Sequence, residues 1–227
     1  LKYHIKFYLL IELLMNLTIV SVCINYLDFL EDTYPRNKEA FNGLNYWIIT
    51  DSKDTKTQDY CRDNQINCYI TDVFYKGGCP FNKGAAINEF FVKSGKLNID
   101  EAEWILLLDS DIVVRQTIQE INDMEKDPDC LYNCGRRIYN TKSDYAAGNH
   151  TIGGCQHIGY FQLFHVNKII DYIKNQNGFL FEFRNSSYYD CEFSGRFKCQ
   201  KCLPSTDVDH LGPIYLNWDG RISAKWG

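Results

Sequence analysis

The chain is short of positive charge: 24 Lys and Arg stand against 29 Asp and Glu, a net charge of −5 at pH 7. That leaves no basic surface for a polyphosphate backbone and excludes nucleic acid as the main partner. A single phosphorylated ligand, which needs positive charge only locally, stays open. The chain also lacks a GxxxxGK[ST] loop and a GxGxxG turn, so it is neither a P-loop kinase nor a Rossmann dehydrogenase. The apolar opening stretch, Leu1 to Leu14, is too short to cross a bilayer, is interrupted by Lys2, His4, Lys6 and Glu12, and carries no small-residue cleavage site. It reads as an N-terminal extension outside a core that starts at Met15, with peripheral membrane contact as one use for it. Cysteine is not lacking, but its ten copies show no second CxxC to partner Cys199-Gln-Lys-Cys202. Zinc, with Cys191 as a further ligand, is therefore the lesser reading. A chain of this size does not need a disulfide framework, so the expectation is free thiols, a reducing compartment and a cytoplasmic location.

With 45% hydrophobic and 15% aromatic residues, the 227-residue chain is globular and long enough for one large α/β domain. Its organising stretch is Trp104-Ile-Leu-Leu-Leu-Asp109-Ser-Asp111-Ile-Val-Val114. The apolar run without polar alternation fits a strand buried on both faces. Two carboxylates at its end need a reason, because an unpaired buried carboxylate costs several kcal/mol. One reading is a polar turn, for which Asp and Ser are ordinary residues. The other is a hard divalent cation, Mg2+ or Mn2+, that in turn grips a phosphate.

Before this stretch the chain alternates strands and helices. Thr18 to Tyr26, Tyr46 to Thr50 and Cys68 to Thr71 read as strands; Leu27 to about Phe41, Thr57 to Asn64 and Lys83 to Lys93 read as helices. Polar residues gather just after the strands: Asn25, Tyr26 and Asp28, then Thr50 and Asp51, then Thr71 and Asp72. Ligands of parallel sheets bind at those ends, and Asp51 is the residue expected on a base or ribose. Lys83 opens a helix, where a cation opposes the macrodipole, which predicts an anion for it to meet. The alternative is a surface lysine following a loop.

Taken together, INYLDFLEDTYPRN (24–37), WIITDSKDT (47–55), TDVFYKGGCPFNKGAAIN (71–88), WILLLDSDIVV (104–114), IGYFQLFH (158–165), Tyr189-Asp190-Cys-Glu-Phe193 and VDHLGPIYLNWDGR (208–221) resemble the small GT-A-type glycosyltransferases. These are relatives of glycosyltransferase family 2 found in bacteria and large DNA viruses. The resemblance implies an α/β fold, a single GT-A-like domain with a mostly parallel central sheet flanked by helices. Residues 15–115 would hold the nucleotide-sugar and 116–227 the acceptor. It implies Mn2+ or Mg2+ on Asp109, Asp111 and His210, and Asp190 as general base, with Glu192 as a rival. Asn25, Tyr26, Asp28, Thr50, Asp51, Lys83, Asn88, Asp109, Ser110 and Gln162 would touch the substrate or nucleotide. The activity implied is transfer from a nucleoside diphosphate sugar, UDP-sugar favoured, to a hydroxyl of a glycan or glycoprotein, with inversion. For a viral protein the compartment would be the host cytoplasm.

Tyr160 joins Gln162 as an acceptor contact on chemical grounds, since sugars stack on rings and hydrogen-bond to amides. His165 reads as a packing residue, His150 as a surface one, and His157 flanks the same aromatic strand. Asn217 to Arg221 reads as a turn closing over the site, with Arg221 reaching a phosphate. Two other functions share these features. A haloacid-dehalogenase-type phosphatase also places Asp-x-Asp after an apolar strand, with Asp109 as nucleophile, but its motif sits near the N-terminus. A non-catalytic nucleotide- or glycan-binding module of the same fold is the second.

Overall fold

The computed structural model describes residues 16–41, 44–95, 103–156, 159–171, 175, 189–214, 216–217, 219–221 and 225–226. Leu1 to Leu14 and His157 lie outside the described residues. The expected alternation is present: β1 (Leu17–Val22), α1 (Leu27–Phe41), β2 (Asn45–Asp51), α2 (Thr55–Asp63), β3 (Asn67–Thr71), α3 (Lys83–Lys93) and β4 (Trp104–Leu108). There follow β5 (Ile112–Val114), α4 (Ile118–Asp123), β6 (Cys130–Tyr139), α5 (Lys142–Ala147), β7 (Thr151–Gly153), β8 (Phe161–His165), α6 (Tyr189–Ser194) and β9 (Cys199–Leu211). None of the described helices is long and apolar enough to cross a membrane.

The strands form one sheet in the order β3-β2-β1-β4-β8-β6-β9-β5, with β7 paired to β6. The chain is thus a mixed α/β domain with a central sheet flanked by helices. The first four strands pair in parallel, β2 and β4 flanking β1 and β3 lying beyond β2. β8 then joins β4 antiparallel, and only β6 with β9 is parallel in the second half. The parallel character read from the sequence therefore belongs to the first four strands.

All five residues of β4 are buried, as their unbroken apolar run requires. Side-chain alternation divides them between two cores. Leu17, Ile19, Leu106, Leu108, Phe161 and Leu163 pack on one face, where α1 and α2 lie. Val20, Val22, Ile105, Leu107 and Phe164 pack on the other, under α3 and α6. Burying each such side chain contributes roughly 1.5–3 kcal/mol.

β1 stops at Val22, four residues before the expected end. Asn25 takes a left-handed conformation (φ 55°), which asparagine tolerates better than most residues. Its amide donates to Asp54 Oδ2 at 2.8 Å, fixing the turn into α1.

The cysteine reading needs correction. Cys130 and Cys199 are direct register partners of β6 and β9, with Cα atoms 4.8 Å apart, and form a disulfide. Cys155 and Cys202 form a second, Cα atoms 6.2 Å apart. The two cysteines of the CxxC thus serve different partners, and no knuckle forms. Cys191 is free and exposed. Disulfides persist in oxidising compartments, so the cytoplasmic expectation loses its ground.

Candidate active site

Where β4 ends, the chain turns and re-enters the sheet as β5. The turn is pinned from both sides: the Asp109 amide donates to the Tyr160 carbonyl at 3.1 Å, and Thr33 of α1 donates its hydroxyl to the Ser110 carbonyl at 2.8 Å. β5 pairs antiparallel with β9 so that Ile112 faces His210, and the Leu211 amide donates to the Asp111 carbonyl at 2.9 Å. Residues about a hundred positions apart are thereby brought to one sheet edge. Asp109, Ser110, Asp111 and His210 line a single open cleft, with Tyr26, Tyr75, Phe81, Lys83 and Arg221.

The electrostatics around the Asp-x-Asp turn are those of crowded acids beside Lys83. Burial pushes the Asp111 carboxyl above its usual range, and nearby Asp109 adds to the effect while His210 and Lys83 oppose it. Its Oδ1 is buried with no hydrogen-bond partner among the described residues. Hydrogen bonding of His210 Nδ1 to the Gly212 carbonyl at 3.3 Å leaves Nε2 as the ring's lone-pair nitrogen. Gly212 is needed there: its φ is +87°, and a Cβ would strike the Phe29 ring. An orphaned carboxylate oxygen beside an oriented imidazole fits a divalent cation. Asp109, Asp111 and His210 do not all come within 4.8 Å of one another, because Asp109 is drawn to Lys83. The triad that does converge among the described residues is Asp127, Cys130 and Cys199, and the disulfide removes it as a metal site.

Lys83 is the first residue of α3, behind an Asn82 cap that accepts from the Ala85 amide at 3.0 Å. Its ammonium pairs with Asp109 and lies 5.2 Å from the centre of the Tyr189 ring. Burial alone would lower its pKa, but Asp109 and Asp190 more than offset that and hold it above the usual lysine value. The anion it meets here is a carboxylate. Asp190, second residue of α6, packs its carboxylate against the Cα of Gly159, where any Cβ would collide. Burial raises its pKa to about 6, with Lys83 pulling the other way. Its rival Glu192 lies on the exposed side of the same helix turn.

The remaining expected contacts separate into two groups. Tyr26 lines the cleft. Asn25, Asp28, Thr50, Asp51, Asn88 and Gln162 do not. Asp28 is taken by Arg221, which binds it with both terminal nitrogens, and by the Trp226 amide at 2.7 Å. Burial would raise the Asp28 carboxyl, but these partners outweigh it and hold it below its usual range. Arg221 therefore binds Asp28 while it also lines the cleft. Asp51 is buried and caps its own turn, accepting from the Lys53 amide at 2.9 Å. Thr50 and Asn88 are buried within β2 and α3.

Tyr160 turns to the opposite face of the sheet, where its hydroxyl donates to the Cys134 carbonyl. His165 packs edge-on against Trp104 at 5.2 Å, and His150 is exposed. Residues the sequence reading passed over are Tyr75, which presents a 40% exposed side to the cleft, Tyr189 beneath Lys83, and Gly159 beneath Asp190. The small residue before the aromatic strand 160–165 was the available signal for Gly159.

No family model and no curated protein matches the chain. Among solved structures, the glycosyltransferase GlyE of Streptococcus pneumoniae TIGR4 is similar at 13% identity and a TM-score of 0.45, over 84% of this chain and 45% of GlyE. The chain thus spans a little under half the length of GlyE. An active-site mutant of LgtC is similar at 12% identity and a TM-score of 0.47, over 86% of this chain and 88% of that one. Likeness at this level says nothing of donor, acceptor or reaction course.

Proposed function

We propose that the chain is a metal-dependent glycosyltransferase that moves a sugar from a nucleoside diphosphate sugar to a hydroxyl of a glycan or glycoprotein. The observation that carries this reading is the joint placement of Asp109, Asp111, His210 and Lys83 in one cleft at the carboxyl ends of parallel strands. The crowding of two acids, one with an orphaned oxygen, is costly unless a cation relieves it. Asp111 and His210 would hold Mn2+ or Mg2+, with Asp109 joining as it leaves Lys83. When bound, such an ion supplies Lewis-acid stabilisation of the departing diphosphate.

The chain's own groups do the rest. Lys83, released from Asp109, places a positive charge at the same end of the cleft for the developing phosphate charge. Tyr26 and Tyr75 line the cleft with aromatic surface for a base, without selecting which; a UDP-sugar remains the favoured donor. Asp190, with a pKa of about 6, is ionised at neutral pH yet basic enough to accept a hydroxyl proton. A base set across the sugar from the leaving group gives inversion, so the stereochemical outcome depends on that placement.

The test is a thermal-shift panel of uridine, guanosine, cytidine and thymidine diphosphates, each with and without Mn2+. A ligand at a hundred times its Kd adds about 2.7 kcal/mol to stability. The expected result is a metal-dependent shift with one nucleotide, lost in Asp111→Ala. No shift with any of them overturns the proposal.

A further inference from the structure

β8 and β6 carry two amides that a hydrophobic core has no use for. Gln162 and Asn133 are both completely buried, and none of their four amide atoms has a hydrogen-bond partner among the described residues. The register makes them neighbours. Tyr132 pairs with Leu163 in the antiparallel β6–β8 ladder, which sets Asn133 opposite Gln162. On its other side Gln162 faces Leu107 of β4. Leu107 is two residues before Asp109, so the amides sit about 7 Å along the strand direction from the Asp-x-Asp turn.

They also share a face with the site. Their chain neighbours Phe161, Leu163, Tyr132 and Cys134 pack into the opposite core, which leaves the amides on the side of α3 and α6. α6 runs alongside: Phe193 stacks edge-on against Phe164 at 5.0 Å. Tyr189, one helical turn earlier, is thereby carried back toward Gln162, and Asp190 rests on Gly159. Tyr189 in turn underlies Lys83.

Each unsatisfied buried polar group costs roughly 1–3 kcal/mol, and Leu or Met would fill the same space without that cost. Two carboxamides together present two NH2 donors and two carbonyl acceptors. A cation would call for carboxylates, and a phosphate for donors alone. Paired donors and acceptors match vicinal hydroxyls, each of which gives and takes one hydrogen bond.

We infer that Gln162 and Asn133, with Tyr189 beside them, recognise hydroxyl groups of the transferred sugar while its diphosphate is held at Asp109 and Lys83. This rests on the glycosyltransferase reading and assigns the amides to the donor, because Leu107, the β4 partner of Gln162, stands two residues before Asp109; the amides lie beneath the surface of the cleft and do not line it in this structure. A site built to bond a hydroxyl rejects an analogue lacking it far more strongly than an apolar pocket rejects a missing methylene. The amide pair is therefore a specificity device.

The test compares wild type with Gln162→Met and Asn133→Leu by calorimetric titration. Each of the four nucleoside diphosphates, and its hexose conjugates, is titrated with Mn2+ present. In wild type the preferred conjugate binds tighter than its nucleoside diphosphate. In both variants that advantage falls at least about tenfold, nucleoside diphosphate affinity is unchanged, and the melting temperature stays level or rises. If one variant does not fold, the other carries the comparison. A sugar advantage retained in the variants overturns the inference and leaves the proposed function standing, as does a wild type whose conjugates bind no tighter than the nucleotide. Equal loss of both ligands marks the amides as structural and also overturns it. A wild type that binds no nucleoside diphosphate overturns the proposed function itself.

Discussion

The carboxylate of Asp190 rests on the α-carbon of Gly159, and the contact leaves no room for a Cβ. The side chain that must give way in Gly159→Ala is the short, movable one of Asp190. The variant is expected to fold with a stability loss near 1 kcal/mol, the middle of the range for point substitutions. With its base displaced, kcat should fall by roughly 10²-fold, within the range for loss of general-base catalysis. Donor titration alongside steady-state kinetics checks this. Unchanged kcat would mean that Asp190 is not the base.

Asp190 also sets a pH dependence. Its folded pKa, about 6, lies above the ordinary carboxylate value because burial disfavours the charge. The native state therefore binds more protons than the unfolded chain between about pH 4 and 6, and this group's contribution falls as pH rises through that window. At about 1.4 kcal/mol per pH unit the cost at pH 7 approaches roughly 3 kcal/mol. Asp190→Asn should raise the melting temperature at pH 7 more than at pH 4. The same titration should give wild type an acidic activity limb near pH 6. A limb that persists unchanged in residual Asp190→Asn turnover belongs to another group.

How much of this was legible in the sequence depended on range. α3 was read at its observed bounds, Lys83 to Lys93, because a loop of Gly and Pro ends at an Asn cap and an apolar period begins. β4 was legible because five apolar residues in a row have no other comfortable home. The disulfide between Cys130 and Cys199 was not, since it exists only through the register of β6 on β9. The pairing of Asp28 with Arg221 was not legible for a similar reason: the two lie 193 residues apart. Tyr160 and Gln162, two positions apart, were read as one surface. The chain straightens into β8 only at Phe161, which sends Tyr160 to the opposite core.

The two disulfides should make stability depend on redox state. They span 69 and 47 residues, for which the chain-entropy account gives about 4 kcal/mol each. Reductant should lower the melting temperature by many degrees, with Cys130→Ser and Cys155→Ser each accounting for part. Intact mass should show four hydrogens fewer than the fully reduced chain. A mass equal to the reduced chain from oxidising expression would refute both bridges.

Arg221 ties the C-terminal segment to α1 and so supports one wall of the cleft. It bonds Asp28 with both terminal nitrogens and the Asn25 carbonyl at 2.8 Å, and lies 4.9 Å from the Tyr26 ring centre. Trp226 extends the tie, its indole donating to Asp32 at 2.7 Å and stacking on Phe29. Pro213, Ile214, Leu216 and Asn217, which precede these anchors, line the cleft. Arg221→Ala leaves Asp28 without its counter-charge, and the loss should approach the roughly 3 kcal/mol seen when a mostly buried pair is broken. Arg221→Lys should recover only part, because an ammonium cannot reproduce the two-pronged bond. The Asp28 carboxyl is depressed in the folded state, so this stability is present above the ordinary carboxylate pKa and is lost as pH falls through the lower folded value. In turnover the expected signature is a raised KM for the donor with little change in kcat, since a wall binds substrate and transition state alike. A fall in kcat at constant KM would place Arg221 at the reacting end of the cleft instead.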